Sequence, residues 1–456
     1  MPKTNAHRAC DDFHSTTESV RRSYLGEGGG VTRRQVIGRG LAAGLTVYAA
    51  KAMSIGRVFE AAEAAYASAP NAPVLVSVFL PGGCDLLDTI VPLDQYGRYA
   101  GMRPQLKQTN AAKLGSTGLG INAALTSGMN GGVKGLFDAG KIGLMPGIDY
   151  SNPDLSHFHS RHFWETGLVI DRGASGWLGR LLDRTGSQDN PLQGVSMTGA
   201  LSPVLRTGQA PVAAVSSPGD KQFWIPGVYG KPFDDAMAAW EQMAGRPTSG
   251  PGAAATMSSV VQAKRVADML APYRNDGSGP NPLAGMIAYP SAAANPLAGN
   301  LRDLAALLAQ PLGIRVAAVE SDGDFDTHDR QGQDLTAGLT QVSEALSAFQ
   351  ADLEARGIAD RVLTLVWSEF GRRPHENDSH GTDHGAGGVA WLQGTRVKSG
   401  LLSDYPDLGK LDGESNLAVT LDFRRLYCSL LEQWMGADAA SVIPGAGAFG
   451  RIQVMA

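Results

Sequence analysis

Short runs of apolar and β-branched residues recur along the chain, and each is followed at once by a polar loop. Val362-Leu363-Thr364-Leu365-Val366 is the clearest run, and its length and composition predict a buried strand. The same pattern predicts buried strands at residues 73–80, 142–148 and 314–320, and a shorter one at 388–392. Buried strands that end in polar loops are typical of an open α/β sheet, with its ligand site at the strand ends.

Longer stretches with helical periodicity separate these runs. Helices are predicted at residues 131–140, 232–244, 254–270, 335–354 and 421–434. The helix at 335–354 connects two predicted strands, which makes a β–α–β unit with both following loops at the same edge of the sheet. Residues 170–310 are less regular and predict a helical and loop insertion, or cap, that shapes access to this edge, with short apolar runs in residues 194–215 that indicate strands.

The N-terminal region predicts an export signal. Thr32-Arg33-Arg34-Gln35-Val36-Ile37 is a twin-arginine pattern, an apolar stretch follows at residues 41–50, and candidate cleavage sites end at Ala67 and Ala69. We therefore assign residues 1–69 to a signal peptide and linker and residues 70–456 to one α/β domain. We expect the twin-arginine translocase to carry the protein to the periplasm or the cell exterior. The alternative is an ordinary amphipathic N-terminal helix.

Composition narrows the class of protein further. A chain of 456 residues that is 43% hydrophobic can bury a large core, and 18% charged residues fit a compact body. No Lys- or Arg-rich block follows the N-terminal region, so no nucleic-acid partner is expected. The apolar stretch of the signal is too short and too rich in Gly and Ala for a stable membrane span. Only Cys84 and Cys428 lie beyond residue 69, which excludes a disulfide scaffold and a Cys-rich structural zinc site.

Histidines and acids are concentrated in the loops that follow the predicted strands. The histidines beyond residue 69 all lie there: His157, His159, His162, His328, His375, His380 and His384. Acids in the same kind of position are Asp85, Asp324, Asp326, Glu369 and Asp383. Imidazole and carboxylate groups that meet at one sheet edge can bind a divalent ion, which also relieves the repulsion among the acids. We therefore predict a divalent metal site, with Zn²⁺ or Mn²⁺ ahead of Ca²⁺ or Mg²⁺.

Several of these residues also have a purely structural interpretation. Asp85 follows a glycine turn and could cap a helix. Asp324 and Asp326 could be Ca²⁺-like loop ligands or solvated turn residues. His159 and His162 share a face of a predicted helix and could form hydrogen bonds within the core. These alternatives stay open at the level of the sequence.

Five motifs occur in a fixed order after residue 73. They are Leu80-Pro81-Gly82-Gly83-Cys84-Asp85, Ser156-His157-Phe158, Phe325-Asp326-Thr327-His328, Ser368-Glu369-Phe370-Gly371-Arg372 and Gly381-Thr382-Asp383-His384-Gly385, with Asp422-Phe423-Arg424 after them. In this order they resemble the exported bacterial family called domain of unknown function 1501. Two positions depart from the family's usual pattern, since Cys84 stands where Asn is usual and Leu86 where Gly is usual.

That family resembles distant members of the alkaline phosphatase and sulfatase superfamily. The resemblance implies a mostly parallel sheet sandwiched between helices, with two metals that flank a nucleophile. By position it makes Ser156 the nucleophile, with His157 beside it in the catalytic group. It makes Asp324 or Asp326, together with His328, the ligands of one metal.

The resemblance also assigns the later motifs. His384 falls at the last metal histidine, and Asp85 is the acid after the first strand. Glu369-Phe370 falls where the superfamily has an Ala-Asp-His-Gly-like motif, so that Phe370 replaces a histidine. One of two metal sites is then impaired, or His157 or His380 compensates. Arg372 or Arg161 would bind the substrate anion through paired hydrogen bonds.

Two functions are compatible with these features. The resemblance implies a metal-dependent hydrolase in which Ser156, or a water that the metal activates, attacks a phosphate or sulfate ester. Its substrate would be a small-molecule or polymeric anionic ester. The alternative is a non-catalytic exported binding or structural protein that keeps the same fold. Phe370 favours the alternative, whereas the hydrolase is favoured by the presence of Asp85, Ser156, Asp326, His328, Asp383 and His384.

Overall fold

A computed structural model of the chain describes residues 45–48, 71–171, 174–187, 189–216, 218, 230–244, 263, 266–273, 275 and 279–456. The twin-arginine pattern, both candidate cleavage sites and most of the helix predicted at 254–270 lie outside these residues. The chain divides into two compact units, one made of residues 71–177, 285–305 and 317–456, and the other of residues 1–70, 178–284 and 306–316. In the described part of the chain, no helix is long and apolar enough to cross a bilayer.

Strands and helices alternate along the described chain. The strands are β1 (Leu45–Tyr48), β2 (Val74–Phe79), β3 (Ile90–Pro92), β4 (Ala112–Lys113), β5 (Leu119–Ile121), β6 (Ile142–Asp149), β7 (Gly194–Ser196), β8 (Val212–Val215), β9 (Val316–Glu320), β10 (Val362–Trp367), β11 (Gly371–Arg372), β12 (His384–Gly385), β13 (Gly388–Gln393), β14 (Gly400–Leu401) and β15 (Leu421–Asp422). The α-helices are α1 (Leu86–Thr89), α2 (Tyr96–Met102), α3 (Gly132–Asp138), α4 (His157–Thr166), α5 (Trp177–Thr185), α6 (Lys231–Ala244), α7 (Pro296–Leu308), α8 (Gln331–Ala355) and α9 (Phe423–Gln433).

The larger unit is built on a mixed sheet with the strand order β9–β2–β10–β13–β6–β14. Strand β10 is parallel to β2, and both β14 and β15 are parallel to β6. Strand β13 is antiparallel to both of its neighbours, β10 and β6. All residues of β2 and β10 are buried, as expected for strands covered on both faces. The prediction of a mostly parallel sheet flanked by helices is confirmed.

The long helix predicted between two strands is confirmed as α8, and β2 lies between β9 and β10 in the sheet. A small antiparallel sheet, with the order β3–β5–β4, was not predicted. Its strands have two or three residues each, which is too short for hydrophobic periodicity to show.

An aromatic core fixes α4 and α9 against β10. Trp164 of α4 stacks on Trp367 of β10, with ring centroids 5.4 Å apart, and on Phe423 of α9 at 4.6 Å. The Tyr427 hydroxyl donates a hydrogen bond of 2.8 Å to the Trp164 carbonyl, and the Tyr427 ring stacks on Trp177 at 4.2 Å. Such ring pairs contribute about 0.5–1.5 kcal/mol each beyond the area they bury. This packing holds α4 and α9 against β10.

The smaller unit contains strands as well as helices. Strands β7 and β8 are parallel, and β1 is antiparallel to β8. The helix predicted at residues 232–244 is confirmed as α6. Strands β7 and β8 confirm the strands that the short apolar runs of residues 194–215 indicate. Their three and four residues are all buried, so no alternation of polar and apolar positions marks them.

Candidate metal centre

The candidate site lies where three neighbouring strands of the larger unit end. The turn of Gly82 and Gly83 follows β2, Asp326 and His328 follow β9, and Glu369 follows β10. Two further elements contribute histidines from elsewhere in the chain. His157 opens α4, and His384 belongs to the hairpin of β11 and β12, where it pairs with Arg372.

Potential metal ligands converge at this place. One ligand atom from each of His157, Asp326 and His384 lies within 4.8 Å of the other two. The Nε2 atom of His328 adjoins them, at 3.0 Å from His384 Nε2 and 3.1 Å from Asp326 Oδ1. All four side chains are at most 9% exposed. Three imidazoles and one carboxylate therefore surround one small space.

The other nitrogen of each imidazole ring lies against a hydrogen-bond acceptor. The contacts of the Nδ1 atoms are His157 with Glu369 Oε1 at 2.8 Å, His328 with Asp383 Oδ1 at 3.2 Å, and His384 with the Leu155 carbonyl at 2.8 Å. An acceptor at Nδ1 holds the ring proton there and leaves the Nε2 atom to act as a ligand. This is the arrangement that metal-binding histidines usually have.

The distance between two of the ring nitrogens tests whether a metal fits. If Nδ1 carries the proton in both rings, the Nε2 atoms of His328 and His384 direct lone pairs at each other across 3.0 Å. That arrangement is repulsive unless a cation or an additional proton lies nearby. Nitrogen and carboxylate oxygen are ligands that Zn²⁺ and Mn²⁺ both accept. The residues present therefore fit a divalent ion.

Asp326 carries negative charge into this space. Burial alone would raise the pKa of its carboxyl group, but its close contacts with His157, His328 and His384 and the charge of Arg372 hold that pKa far below its usual range. Asp326 is therefore ionised whenever the protein is folded at ordinary pH. An ionised carboxylate next to three imidazoles is suited to hold a cation.

Glu369 is anchored by the glycine turn. The amide of Gly82 donates to Glu369 Oε1 at 2.9 Å, and the amide of Gly83 donates to Oε2 at 3.2 Å. Burial would raise the pKa of Glu369, but the hydrogen bond and charge of His157 and the Gly82 amide lower it. Both glycines have positive φ, and a Cβ atom would lie 2.3 Å from Asp326 N at Gly82 or from the Phe370 ring at Gly83. Only glycine fits at either position.

Arg372 is turned toward the protein interior. Its guanidinium donates to the Gly83 and Thr382 carbonyls at 2.9 and 2.8 Å, and to Asp326 Oδ1 at 2.6 Å. It also donates to the Gly82 carbonyl. The side chain is fully buried. The structure thus places Arg372 as a partner of Asp326, and its role as an anion-binding group stays a prediction.

The acid after β2 lies in a separate cluster. Asp85 caps α1 by accepting a hydrogen bond from the Leu87 amide, as its structural interpretation predicts. It also forms a fully buried salt bridge with Arg103, which in turn pairs with Asp88 at 2.8 Å. Asp85 is therefore brought together with Arg103 and not with the imidazoles. We call Asp85 and Asp88 the acid pair.

The remaining predicted residues lie at the border of the site. Asp324 is exposed, and its carboxylate accepts a hydrogen bond from the Asp326 amide at 3.0 Å. Ser156 is half-buried and occupies the N-cap of α4, between Leu155 and His157, which both contact the centre. Within the described residues, no α4 amide receives a capping hydrogen bond from the Ser156 hydroxyl.

Other predicted histidines lie apart from the converging ligands. His159 contacts Asp154 at 3.0 Å, and this hydrogen bond raises the pKa of His159. His375 and His380 are exposed. The Phe370 ring lies 4.8 Å from the His157 ring and 4.7 Å from the His384 ring, so it forms an apolar wall of the centre.

Sequence reasoning missed several groups that shape the site. Arg103 lies in a stretch without a motif, and Gln331 opens α8 without any chemical signal in its neighbours. The Leu155 contact uses a backbone carbonyl, which every residue has, so no sequence feature could identify it. Gln331 lies four residues before the helix predicted at 335–354, so nothing in the sequence indicated its role.

Comparison with known proteins gives a family and two distant structural likenesses. The family model described as "Protein of unknown function (DUF1501)" matches residues 145–445. A search of curated protein sequences finds no significant match. One similar structure is a protein in the alkaline phosphatase superfamily from Vibrio parahaemolyticus, with a TM-score of 0.33 and 8% identity, over 92% of this chain and 78% of that chain.

A second similar structure comes from work on the metabolism of multiple glycosaminoglycans by Bacteroides thetaiotaomicron. It has a TM-score of 0.32 and 11% identity, over 83% of this chain and 75% of that chain. Superpositions this distant do not transfer an activity. The function has to be inferred from the site itself.

Proposed function

The chain belongs to the family "Protein of unknown function (DUF1501)", and we propose that this member is an exported, metal-dependent hydrolase of phosphate or sulfate esters. The observation that carries the proposal is the convergence of three imidazole Nε2 atoms and one ionised carboxylate. Each of these imidazoles has its Nδ1 atom against an acceptor. The ion would be held by His157, Asp326, His328 and His384.

The donor set supports Zn²⁺ or Mn²⁺ in this position. Three nitrogens and one oxygen satisfy either ion, whereas Ca²⁺ and Mg²⁺ prefer oxygen ligands throughout. When bound, a divalent ion would supply Lewis-acid activation of an ester oxygen and compensation of negative charge. Around it, Glu369 and Asp383 orient the imidazoles, and Arg372 orients Asp326.

Ser156 is the residue we propose as the nucleophile. Its hydroxyl belongs to the N-cap of a ten-residue helix, and the residues on either side of it both contact the centre. The amides that open α4 carry a partial positive charge, which favours an anionic group at this end of the helix. An anionic ester placed here would meet both the hydroxyl and the metal ligands. The twin-arginine pattern of residues 32–37 supports transport to the periplasm or the cell exterior.

A second candidate is a non-catalytic exported protein that binds a ligand through the same centre. Two observations favour it. Phe370 occupies the wall of the centre with an apolar ring, and the guanidinium of Arg372 is engaged by protein acceptors. The negative charge of the bound ligand would then be balanced mainly by the ion and by the start of α4.

Metal content and ester turnover together test the proposal. Full-length protein purified without chelator is expected to contain Zn or Mn by elemental analysis, and to hydrolyse members of a panel of aryl phosphates and aryl sulfates. Ser156→Ala should retain the metal and lose most of the turnover. Ser151→Ala, an exposed serine of the same loop, is the matched control and should behave as wild type.

The possible results separate the two candidates. A protein that neither contains nor binds a divalent ion contradicts both the hydrolase and the metal-binding alternative. Bound metal without turnover of any ester in the panel favours the non-catalytic candidate. Turnover that survives Ser156→Ala removes this serine from the role of nucleophile.

A further inference from the structure

Gln331 uses the full hydrogen-bonding capacity of its side chain in the protein interior. Its Nε2 group donates to Asp85 Oδ2 at 2.6 Å and to Asp88 Oδ2 at 2.7 Å. Its Oε1 atom accepts from the Thr327 hydroxyl at 3.0 Å and from the Thr382 hydroxyl at 2.5 Å. A primary amide has two donors and two lone pairs on its oxygen, so all four are occupied. The residue is completely buried.

The Nε2 group of Gln331 is bonded to the acid pair, which is itself held by several protein side chains. Asp85 and Asp88 share the guanidinium of Arg103, and the Tyr99 hydroxyl donates to Asp88 at 2.7 Å. Arg103 supplies one positive charge between the two buried carboxylates, and the other partners of these carboxylates are hydrogen-bond donors of the protein. The donors and acceptors of the cluster are matched, which makes it a fixed point in the structure.

The acceptor end of the amide reaches both histidine-bearing loops. Thr327 lies between Asp326 and His328, and Thr382 is two residues before His384. The Thr382 amide also donates to the Thr327 carbonyl at 3.0 Å, so the two loops are in direct contact. The Gln331 oxygen receives one hydroxyl from each loop and therefore controls how far apart the loops lie.

We propose that Gln331 is a positioning residue that holds the two histidine-bearing loops at the separation the metal requires, by tying them to the acid pair. The proposal rests on the metal-binding part of the proposed function. Partners outside the ligand set commonly change metal affinity by about 10–100-fold when they are removed. Gln331 acts on two ligand loops at once, through neutral hydrogen bonds that do not compete for the ion.

Two buried groups of acids that look equivalent in the sequence therefore have different roles. The carboxylates of the acid pair hold Gln331 in place, whereas the carboxylate of Asp326 would itself bind the ion. Gln331 links the two, and its four hydrogen bonds reach three separate segments of the chain, namely the start of α1 and the loops of Thr327 and Thr382.

The test compares Gln331→Met with a matched control, Gln193→Met. Methionine has a similar length but cannot form any of the four hydrogen bonds. Gln193 is also buried, and its side chain forms hydrogen bonds with Ser187 and Pro211 in the other unit. For full-length wild type and both variants, we would measure the Zn²⁺ dissociation constant by competition with a chromophoric chelator. We would also record the visible absorption of the Co²⁺ form and the urea midpoint of the metal-free form.

We expect both variants to lower the urea midpoint, since each loses buried hydrogen bonds. Only Gln331→Met should weaken Zn²⁺ binding, by about 10–100-fold, and alter the Co²⁺ spectrum. A Zn²⁺ dissociation constant within twofold of wild type in folded Gln331→Met overturns the proposal and leaves the proposed function intact. Absence of Zn²⁺ binding by wild type would instead contradict the proposed function.

Thr382→Val provides the decisive measurement if Gln331→Met does not fold. Valine has nearly the same shape as threonine and removes only the link to the loop of His384. We expect weaker Zn²⁺ binding than in wild type, by a smaller factor than for Gln331→Met, with little change in the urea midpoint. An unchanged dissociation constant in this variant counts against the proposal.

Discussion

Two buried acid clusters follow the neighbouring strands β2 and β9, and they balance their charge differently. At the acid pair, Arg103 lies between Asp85 and Asp88, and the partners of each carboxylate are protein donors. At Asp326, one protein guanidinium contacts one oxygen, while three imidazoles direct Nε2 atoms toward the same carboxylate. Both clusters include a buried guanidinium, and the difference lies in the three imidazole Nε2 atoms around Asp326, which are suited to bind an ion.

The contrast shows why acids at strand ends are not equivalent as metal ligands. A buried carboxylate must be neutralised, and either an arginine or a divalent ion can do it. The side chains around a carboxylate decide whether a divalent ion can bind beside it. Three experiments test this contrast, and they are described in order of decreasing expected effect.

The largest of the three expected effects is the loss of metal affinity when a histidine ligand is removed. His384→Ala deletes one of the three converging Nε2 atoms and breaks the contact with the Leu155 carbonyl. We expect metal affinity to fall by more than the 10–100-fold typical of outer partners. Equilibrium dialysis against Zn²⁺ measures the change, and His375→Ala, an exposed histidine, is the control. Full retention of Zn²⁺ by the His384 variant would contradict its assignment as a ligand.

Removing the guanidinium from the acid pair should affect stability more than metal binding. Arg103→Met leaves two buried carboxylates without their cation, and breaking such a pair costs about 3–5 kcal/mol. Urea unfolding of the metal-free protein measures this loss. Arg98→Met is the control, because Arg98 is 62% exposed and its contact with Asp407 should contribute at most about 1 kcal/mol. Equal losses of unfolding free energy in the two variants would show that Arg103 is not needed to balance the charge of the acid pair.

The acid pair should also give stability a specific pH dependence. Burial raises the pKa of Asp88 to about 6, with a further increase from Asp85, while Arg103 opposes the shift. Because the folded protein then binds this proton more tightly than the unfolded chain, the contribution of Asp88 to stability is largest at low pH. It is lost as pH rises from about 4 to about 6.

Asp88→Asn removes this titration. Relative to the variant, the metal-free wild type should lose unfolding free energy as pH rises from 4 to 7, measured by urea unfolding with a chelator present. Asp404→Asn, at an exposed position, should show the same pH dependence as wild type. Parallel curves for wild type and Asp88→Asn would contradict the raised pKa.

Much of the fold could be predicted because its signals are local. The buried strand at residues 362–366 and the helix at 335–354 are confirmed as β10 and α8, with shifts of at most four residues at their ends. Strand or helix type follows from apolar runs and helical spacing within a single segment. The short strands β3 to β5 lack enough residues for either signal.

The sequence by itself determined the main strands, the family and the loops that hold the histidines, since each depends on residues close together along the chain. It did not decide which acid meets which cation. His157 and Glu369 are separated by 212 positions, and Gln331 and Asp85 by 246. Contacts over such distances depend on how strands and helices pack, and several side chains of the same type compete for them. Only the tertiary structure placed Arg103 with Asp85 and the three imidazoles with Asp326.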